Sequence, residues 1–140
     1  MTDMDDVEEL SLDILRRIGY LPRTGDSVEE ARKDVAFRLF VDCFLRRRDK
    51  AWTPEEMAVV LETTKPTIYR HISKLKNMDL LEAVPVVDEE GRDRKGYRIR
   101  YGDLSKAWGL VEAHVDMAMQ TYRKNINHLQ NLIEKERNQG

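Results

Sequence analysis

Residues 65–78, KPTIYRHISKLKNM, carry Lys65, Arg70, Lys74 and Lys76 and no acid, a local charge of +4. Among these bases stand Thr67, Tyr69 and Ser73, whose hydroxyls both donate and accept hydrogen bonds. If the segment is helical, Ile68, Ile72 and Leu75 fall on one face at spacings of four and three, and the bases and hydroxyls fall on the other. Such an outer face suits a polyanion, because cations neutralise phosphates and hydroxyls and guanidinium groups reach base edges. Two further basic runs exist. Residues 91–101 hold Arg92, Arg94, Lys95, Arg98 and Arg100 against Asp93, and residues 46–50 hold Arg46, Arg47, Arg48 and Lys50 against Asp49. The first fifteen residues are the reverse, with Asp3, Asp5, Asp6, Glu8, Glu9 and Asp13 and no base. A net charge of −2 over 140 residues therefore hides three basic segments and an acidic end. One charge run is ordinarily a solvated surface, but three that share a face form an electrostatic footprint.

Other reactive side chains are sparse. The single cysteine, Cys43, lies on an apolar helical face and reads as a small core residue. One cysteine excludes a disulfide framework or a multi-cysteine zinc site within the chain. The histidines are His71, His114 and His128. His71 falls in the basic segment, as a helix-flank residue or a contact to the bound anion. His114 and His128 would sit about 21 Å apart on one helix, too far for one chain to chelate a metal with both. No Gly-rich phosphate loop, HExxH or Ser-His-Asp arrangement stands out. The expectation is a non-enzyme with no metal and no cofactor. Apolar residues make up 41% and charged residues 36%, proportions of a folded soluble domain. Apolar runs fall well short of the roughly 18 residues of a membrane span, and the acidic start is unlike a signal peptide. A cytoplasmic protein with no membrane partner is expected.

The elements that must position the basic segment follow from caps and periodicity. Thr53, Pro54 and Glu56 supply an N-cap, a first-turn proline and a capping box. The helix they open carries Met57, Ala58, Val60 and Leu61 and must stop near Glu62-Thr63-Thr64. Thr64 then caps a second helix, which tolerates Pro66 in its first turn. Two short helices joined by a three-residue turn, the second basic on its outer face, describe a helix-turn-helix. After it, Ala83 to Val87 is β-prone, Asp88-Glu89-Glu90-Gly91 turns, and Tyr97, Ile99 and Tyr101 alternate with Arg98 and Arg100. This predicts a hairpin over 83–101 with Pro85 on an edge strand. Upstream, residues 3–18 predict a helix with Val7, Leu10, Ile14, Leu15 and Ile18 inward and Gly19 as its stop. A second upstream helix opens on a Ser27–Glu30 capping box. It buries Val28, Ala31, Val35, Ala36, Leu39, Phe40 and Cys43, widened by Phe37 and Phe44.

Downstream, Asp103 or Ser105 caps a helix running from Leu104 to about Arg137, roughly 50 Å long. Trp108, Val111, Val115, Ala118, Tyr122, Leu129 and Leu132 recur in steps of four and three, broken at Asn125. Met119, Ile126 and Ile133 widen the seam, which approaches a heptad pattern over about four heptads. A helix this long outreaches a small domain, so its stripe needs cover. A second copy of the same helix is the simplest cover, giving a homodimer whose register Asn125 can set. The competing expectation is that the helix folds back on residues 3–47.

The segment LETTKPTIYRHISKLKNMDLLE, with the hairpin that follows, resembles the helix-turn-helix of winged-helix transcription regulators, the broad group that includes the ArsR-like and MarR-like families. The likeness spans about residues 53–101. It implies a mainly α fold with a small β-hairpin wing: a winged-helix domain with N-terminal helices over 1–102 and a long dimerisation helix over 103–140. It implies that Thr64 caps the recognition helix, 65–77, that Leu75 anchors it to the core, and that Leu80-Leu81 start the wing. The function it implies is sequence-specific binding of double-stranded DNA by a homodimeric transcription regulator, with the recognition helix in the major groove. Arg70 and Lys74 would reach guanine edges or phosphates, and Thr67, Tyr69 and Ser73 would add contacts. The amides beside Thr64 and Lys65 suit a phosphate. Arg92, Arg94 and Lys95 at the wing would track the backbone or enter the minor groove. Dimerisation would run through Trp108, Val111, Val115, Tyr122, Leu129 and Leu132.

Two positions depart from the family pattern. Glu62 and Asp79 stand where these proteins often have glycine, which predicts left-handed backbone at both, easier for Asp than for Glu. A different class of function is also open, since winged helices serve as protein-interaction modules. The discriminating feature is the outer face of 65–78, which keeps four bases and no acid and so favours DNA.

Overall fold

Among the described residues, five side-chain caps and three left-handed non-glycine residues divide the chain into the elements that surround the basic helix. The computed structural model describes residues 6–23, 25 and 27–140. Asp3 and Asp5, and the first three positions of the helix expected over 3–18, lie outside the described residues. Helix α1 is Val7–Arg17, capped by the Asp6 carboxylate, which accepts from the amides of Glu8 and Glu9. Helix α2 is Val28–Ala31 and α3 is Val35–Arg38; α3 continues as a π-helix over Leu39–Leu45. Helices α4, Pro54–Val60, and α5, Lys65–Asn77, form the helix-turn-helix. Strands β1, Leu81–Val87, and β2, Asp93–Ile99, form the wing, with Leu81 opposite Ile99 and Val87 opposite Asp93. A short 3₁₀ turn at Arg100–Gly102 leads into α6, Leu104–Gln139.

The helix-turn-helix and wing follow the sequence reading closely. Thr53 accepts from the Glu56 amide while the Glu56 side chain reaches back to the Thr53 amide, completing the capping box at Pro54. Thr64 accepts from the Thr67 amide to open α5. Glu62 has φ 53° and Asp79 has φ 64°, so both occupy the left-handed region where glycine is usual. A non-glycine residue held there costs about 1 kcal/mol or more, offset by the packing on either side. Ile68, Ile72 and Leu75 are buried, as expected. They join Leu15, Phe37, Phe44, Met57, Leu81 and Ile99 in one core.

The N-terminal helices differ from expectation. In α1 the buried residues are Ser11, Leu12 and Leu15, whereas Val7 and Ile14, read as inward, are exposed. The 3.6-residue period admits either neighbouring face, and contact with the rest of the fold selects one. The continuous helix expected from Val28 to Cys43 is broken at Arg32 to Asp34. Ser27 makes no side-chain cap bond, while Asp34 accepts from the Ala36 amide and starts a new helix. The π-helix that follows frees a carbonyl, and the Trp52 indole Nε1 donates to Cys43 O at 2.8 Å. A four-member ion network fixes this layer: Arg32 bridges Glu8 and Asp42, and Arg46 lies 3.2 Å from Glu8 and 3.6 Å from Asp42. The Arg32 guanidinium hydrogen bond holds the Glu8 carboxyl below its ordinary range against the opposing effect of burial.

Helix α6 is a single rod of 36 residues, about 54 Å. Asp103 caps it by accepting from the Lys106 amide. Only its first three turns touch the domain, through buried Ala107, half-buried Leu104 and Val111, and His114, whose Nδ1 lies 2.6 Å from the Asp79 carboxylate. From Glu112 to Gln139 every residue except Ala118 is exposed. The alternative of folding back on residues 3–47 is therefore not adopted. No helix among the described residues is long and apolar enough to cross a membrane.

Candidate nucleic-acid interface

The outer face of α5 is built by the same residues that bury its inner face. Because Ile68, Ile72 and Leu75 point into the core, Lys65, Tyr69, Arg70, Ser73 and Lys74 are turned to solvent. Thr67 is half-buried, and its Oγ lies 3.0 Å from the Thr64 Oγ at the start of the helix. Lys65 lies 3.8 Å from Glu55 of α4, an exposed and weak pairing. Lys76 sits 5.8 Å above the Tyr97 ring and so leans toward the wing. No carboxylate among the described residues pairs with Arg70 or Lys74. Of the bases proposed to touch a ligand, these two are the ones on α5 whose charge is uncommitted.

His71 is not the flank residue or anion contact expected from the sequence. It is buried, 8% exposed, with its ring edge-on to Tyr20 at 6.2 Å between centroids. Its Nδ1 is buried without a hydrogen-bond partner among the described residues. Burial, then the nearby charge of Arg70, holds its pKa below the ordinary value, with Asp34 opposing. The residue is thus a neutral packing group that fixes α5 against the loop at Tyr20. That loop is itself anchored by the Tyr20 hydroxyl, which donates to Ala36 O at 2.7 Å. Its position at i+3 from Ile68 was the signal for burial that the basic neighbours obscured.

At the wing tip the geometry is different. The Asp88 carboxylate accepts from the amides of Glu90 and Arg92 and from the Nε atoms of Arg92 and Arg94, all within 3.2 Å. The Arg92 amide bond and the Arg94 side chain, with the other donors, hold its pKa down at about 2. Arg92 also lies 2.6 Å from Glu90. Lys95 is exposed, and no carboxylate among the described residues pairs with it. Arg98 pairs with Glu82 across the hairpin at 2.7 Å, and Arg100 donates to Asp79 O and Leu81 O at the wing's base. Tyr101, expected to alternate inward, is 53% exposed; the strand ends at Ile99 and Tyr101 takes φ 63° in the turn to α6.

The third basic run is also partly spoken for. Arg47 and Lys50 sit 5.9 and 4.8 Å from the Trp52 ring, and Lys50 pairs with Glu56 at 2.7 Å. Trp52 exchanges two 2.8 Å backbone hydrogen bonds with Tyr97, so its segment lies against β2. Gly96 permits that approach: a Cβ there would come within 2.9 Å of Val86 Cγ1 and 3.0 Å of Ala51 Cβ. Trp52, Gly96 and Asp88 were not singled out from sequence; a lone tryptophan and a lone glycine carry no periodic signal. Cys43 is buried and its thiol is pushed up to about 11, chiefly by burial, as suits a core residue. Among the described residues no three His, Cys, Asp or Glu side chains form a metal-binding group.

These elements define a winged helix-turn-helix domain: α3 with its π-helical continuation, α4 and α5, followed by a two-stranded wing. No family model matches the chain, and no curated protein matches it. Among solved structures, it is similar to a possible transcriptional regulator from Methanosarcina mazei Go1, at 16% identity and a TM-score of 0.42, over 74% of this chain and 92% of that one. It is also similar to MepR, a transcription regulator of the Staphylococcus aureus multidrug efflux pump MepA, at 16% identity and a TM-score of 0.33, over 92% of this chain and 98% of that one. The S. aureus MepR structure with ethidium bromide bound gives 16% identity and 0.33, over 99% and 100%. These likenesses are partial, and the architecture of this chain stands on its own helices and wing.

Proposed function

We propose that this chain is a transcription regulator that binds double-stranded DNA sequence-specifically as a homodimer, a binding protein of the cytoplasm rather than an enzyme. The observation that carries this reading is the outer face of α5, where Arg70 and Lys74 project from a rigid, capped helix with no carboxylate pairing with them among the described residues. A helix of 13 residues fixed on its apolar side is shaped to enter a major groove. In this reading Arg70 and Lys74 reach base edges or phosphates, and Thr67, Tyr69 and Ser73 add contacts. The amides beside Thr64 and Lys65 receive a phosphate. Lys95 is the wing residue best placed to meet the backbone, and Arg92 and Arg94 join it once released from Asp88. The winged-helix domain is assigned to 1–102 and the dimerisation helix to 103–140, with Trp108, Val115, Tyr122, Leu129 and Leu132 on the exposed seam. Val111 stands at its margin, half-buried on its own domain.

Fluorescence anisotropy against random duplex DNA at about 50 and 200 mM salt tests the reading, because phosphate-driven binding falls steeply over that range. Salt-sensitive binding, followed by enrichment of one sequence from a random pool, is the expected result. A protein that ignores duplex DNA at low salt would instead be a winged-helix protein-interaction module.

A further inference from the structure

We propose that α6 pairs antiparallel with α6 of a second copy, in the register that sets Asp116 against Arg123 of the partner subunit. The pairing rests on the homodimer reading and adds its direction and register. The exposed stripe of α6 occupies three positions of each seven, with Val115, Tyr122 and Leu129 in one row, Ala118 and Leu132 in a second, and Met119, Ile126 and Ile133 in a third. Charge in the middle of the rod is segregated. Glu112 and Asp116 precede Arg123 and Lys124, and no ion pair joins these residues to any other described residue. In a parallel pair each flank faces the partner's opposite flank, so Asp116 and Arg123 meet no Lys, Arg, Asp or Glu there. An antiparallel pair sets each flank against its own copy reversed, so Asp116 can meet the partner's Arg123.

The register follows from the same charges. Asp116 and Arg123 fall on the flank beside the row of Met119 and Ile126, seven residues apart. When Asp116 meets the partner's Arg123, Ala118 packs beside the partner's Tyr122, a small side chain against a large one. Trp108 then meets the partner's Leu132, and Val115 meets the partner's Asn125. Sliding one helix by a heptad sets Asp116 against the partner's Asp116 in one direction and Arg123 against the partner's Arg123 in the other. Only the middle register avoids both repulsions and uses the whole seam. The domain leaves this face open, since it holds α6 by Leu104, Ala107 and the 2.6 Å contact between His114 Nδ1 and Asp79. The two Trp108 anchors then stand about 36 Å apart along the rod, close to one turn of B-DNA. One feature favours the parallel alternative: Asn125 would meet the partner's Asn125 and could hydrogen-bond to it.

Cysteine cross-linking separates these outcomes. Val115→Cys and Asn125→Cys are made singly in the full chain, whose own Cys43 is buried. In the proposed pair, identical cysteines at either position stand about 15 Å apart, beyond the roughly 4.4–6.8 Å Cα span of a disulfide. Neither variant should then cross-link alone, and the re-equilibrated mixture should give the heterodimer. Self-cross-linking of either single variant, or a dimer that cross-links in no combination, would overturn the register while leaving the homodimer intact. A monomer mass by light scattering would remove the homodimer and the pairing together. As an independent check, Asp116→Arg and Arg123→Asp should each raise the dimer dissociation constant by about tenfold, and the double variant should restore it. No restoration would also overturn the register.

Discussion

Residues 65–78 and 91–101 each carry a net charge of +4, yet the structure holds that charge in opposite ways. On α5 the cations Arg70 and Lys74 stand on a capped helix with no carboxylate partner among the described residues. At the wing tip Arg92 and Arg94 share Asp88, and Arg92 also meets Glu90. A phosphate approaching α5 meets uncommitted charge, whereas one approaching the wing must compete with a carboxylate already hydrogen-bonded. Formal charge therefore overstates the wing and describes α5 fairly. Under the proposed DNA binding, this difference would give base reading to the helix and a lesser, adjustable contribution to the wing.

The largest effect tests the helix. Arg70→Ala and Lys74→Ala should each weaken specific DNA binding by about 1–3 kcal/mol if they read bases. If either meets only phosphate, anisotropy titrations will show the same loss on every sequence and a salt slope lower by about one. Next comes the seat of the wing. Gly96→Ala puts a Cβ within 2.9 Å of Val86 and should cost about 1–3 kcal/mol in urea unfolding. An unchanged midpoint would mean that the segment at Ala51 and Trp52 yields easily.

The buried histidine gives a pH test of the helix. The folded-state pKa of His71 lies below its ordinary 6.5, so the unfolded chain takes up the proton more readily. Its contribution is complete above pH 6.5 and declines as pH falls from there through the lowered folded value. Thermal melts from pH 8 to 5 should lose stability over that window, and His71→Gln should flatten the loss. At the wing, the Asp88 carboxyl at about 2 stays ionised throughout that window, so its hold on Arg92 and Arg94 should not vary with it. Asp88→Asn should release both arginines and steepen the salt dependence of DNA binding. Smallest of all, Arg92→Ala should change affinity by no more than about 0.5 kcal/mol. A loss from Arg92→Ala equal to that from Arg70→Ala would erase the contrast between the two regions.

Much of the helix-turn-helix was legible because its signals are local. Thr53 with Glu56, Thr64 with Thr67, and the spacing of Ile68, Ile72 and Leu75 act within four residues along the chain. The left-handed turns at Glu62 and Asp79 were expected only from the resemblance, since such proteins often have glycine at both positions. The N-terminal region was read less well. Ser27 and Asp34 are both competent caps and each opens a helix, Ser27 without a side-chain bond and Asp34 with one, and between them Arg32 reaches Glu8 and Asp42 across the fold. In α1 the choice between Ile14 and Leu12 as inward residue depended on the partner surface. For the site, the residues of α5 were found with their exposure, except His71. The wing bases were found without their partner, because Asp88 reads as a turn residue and becomes a clamp only when the hairpin closes.

By itself, the sequence determined where α4, α5 and α6 start and stop, that α5 has a basic outer face, and that α6 is a long rod with an apolar stripe. Caps, periodicity and composition act over a few residues, so they survive without a fold. Only the tertiary structure decided which cations are uncommitted, that His71 is neutral packing, that the upstream helix breaks at Asp34 and passes into a π-helix, and that α6 leaves its domain after three turns. Those outcomes depend on burial and on pairs far apart in the chain, such as Arg46 with Glu8 or His114 with Asp79, which exist only once the elements have met.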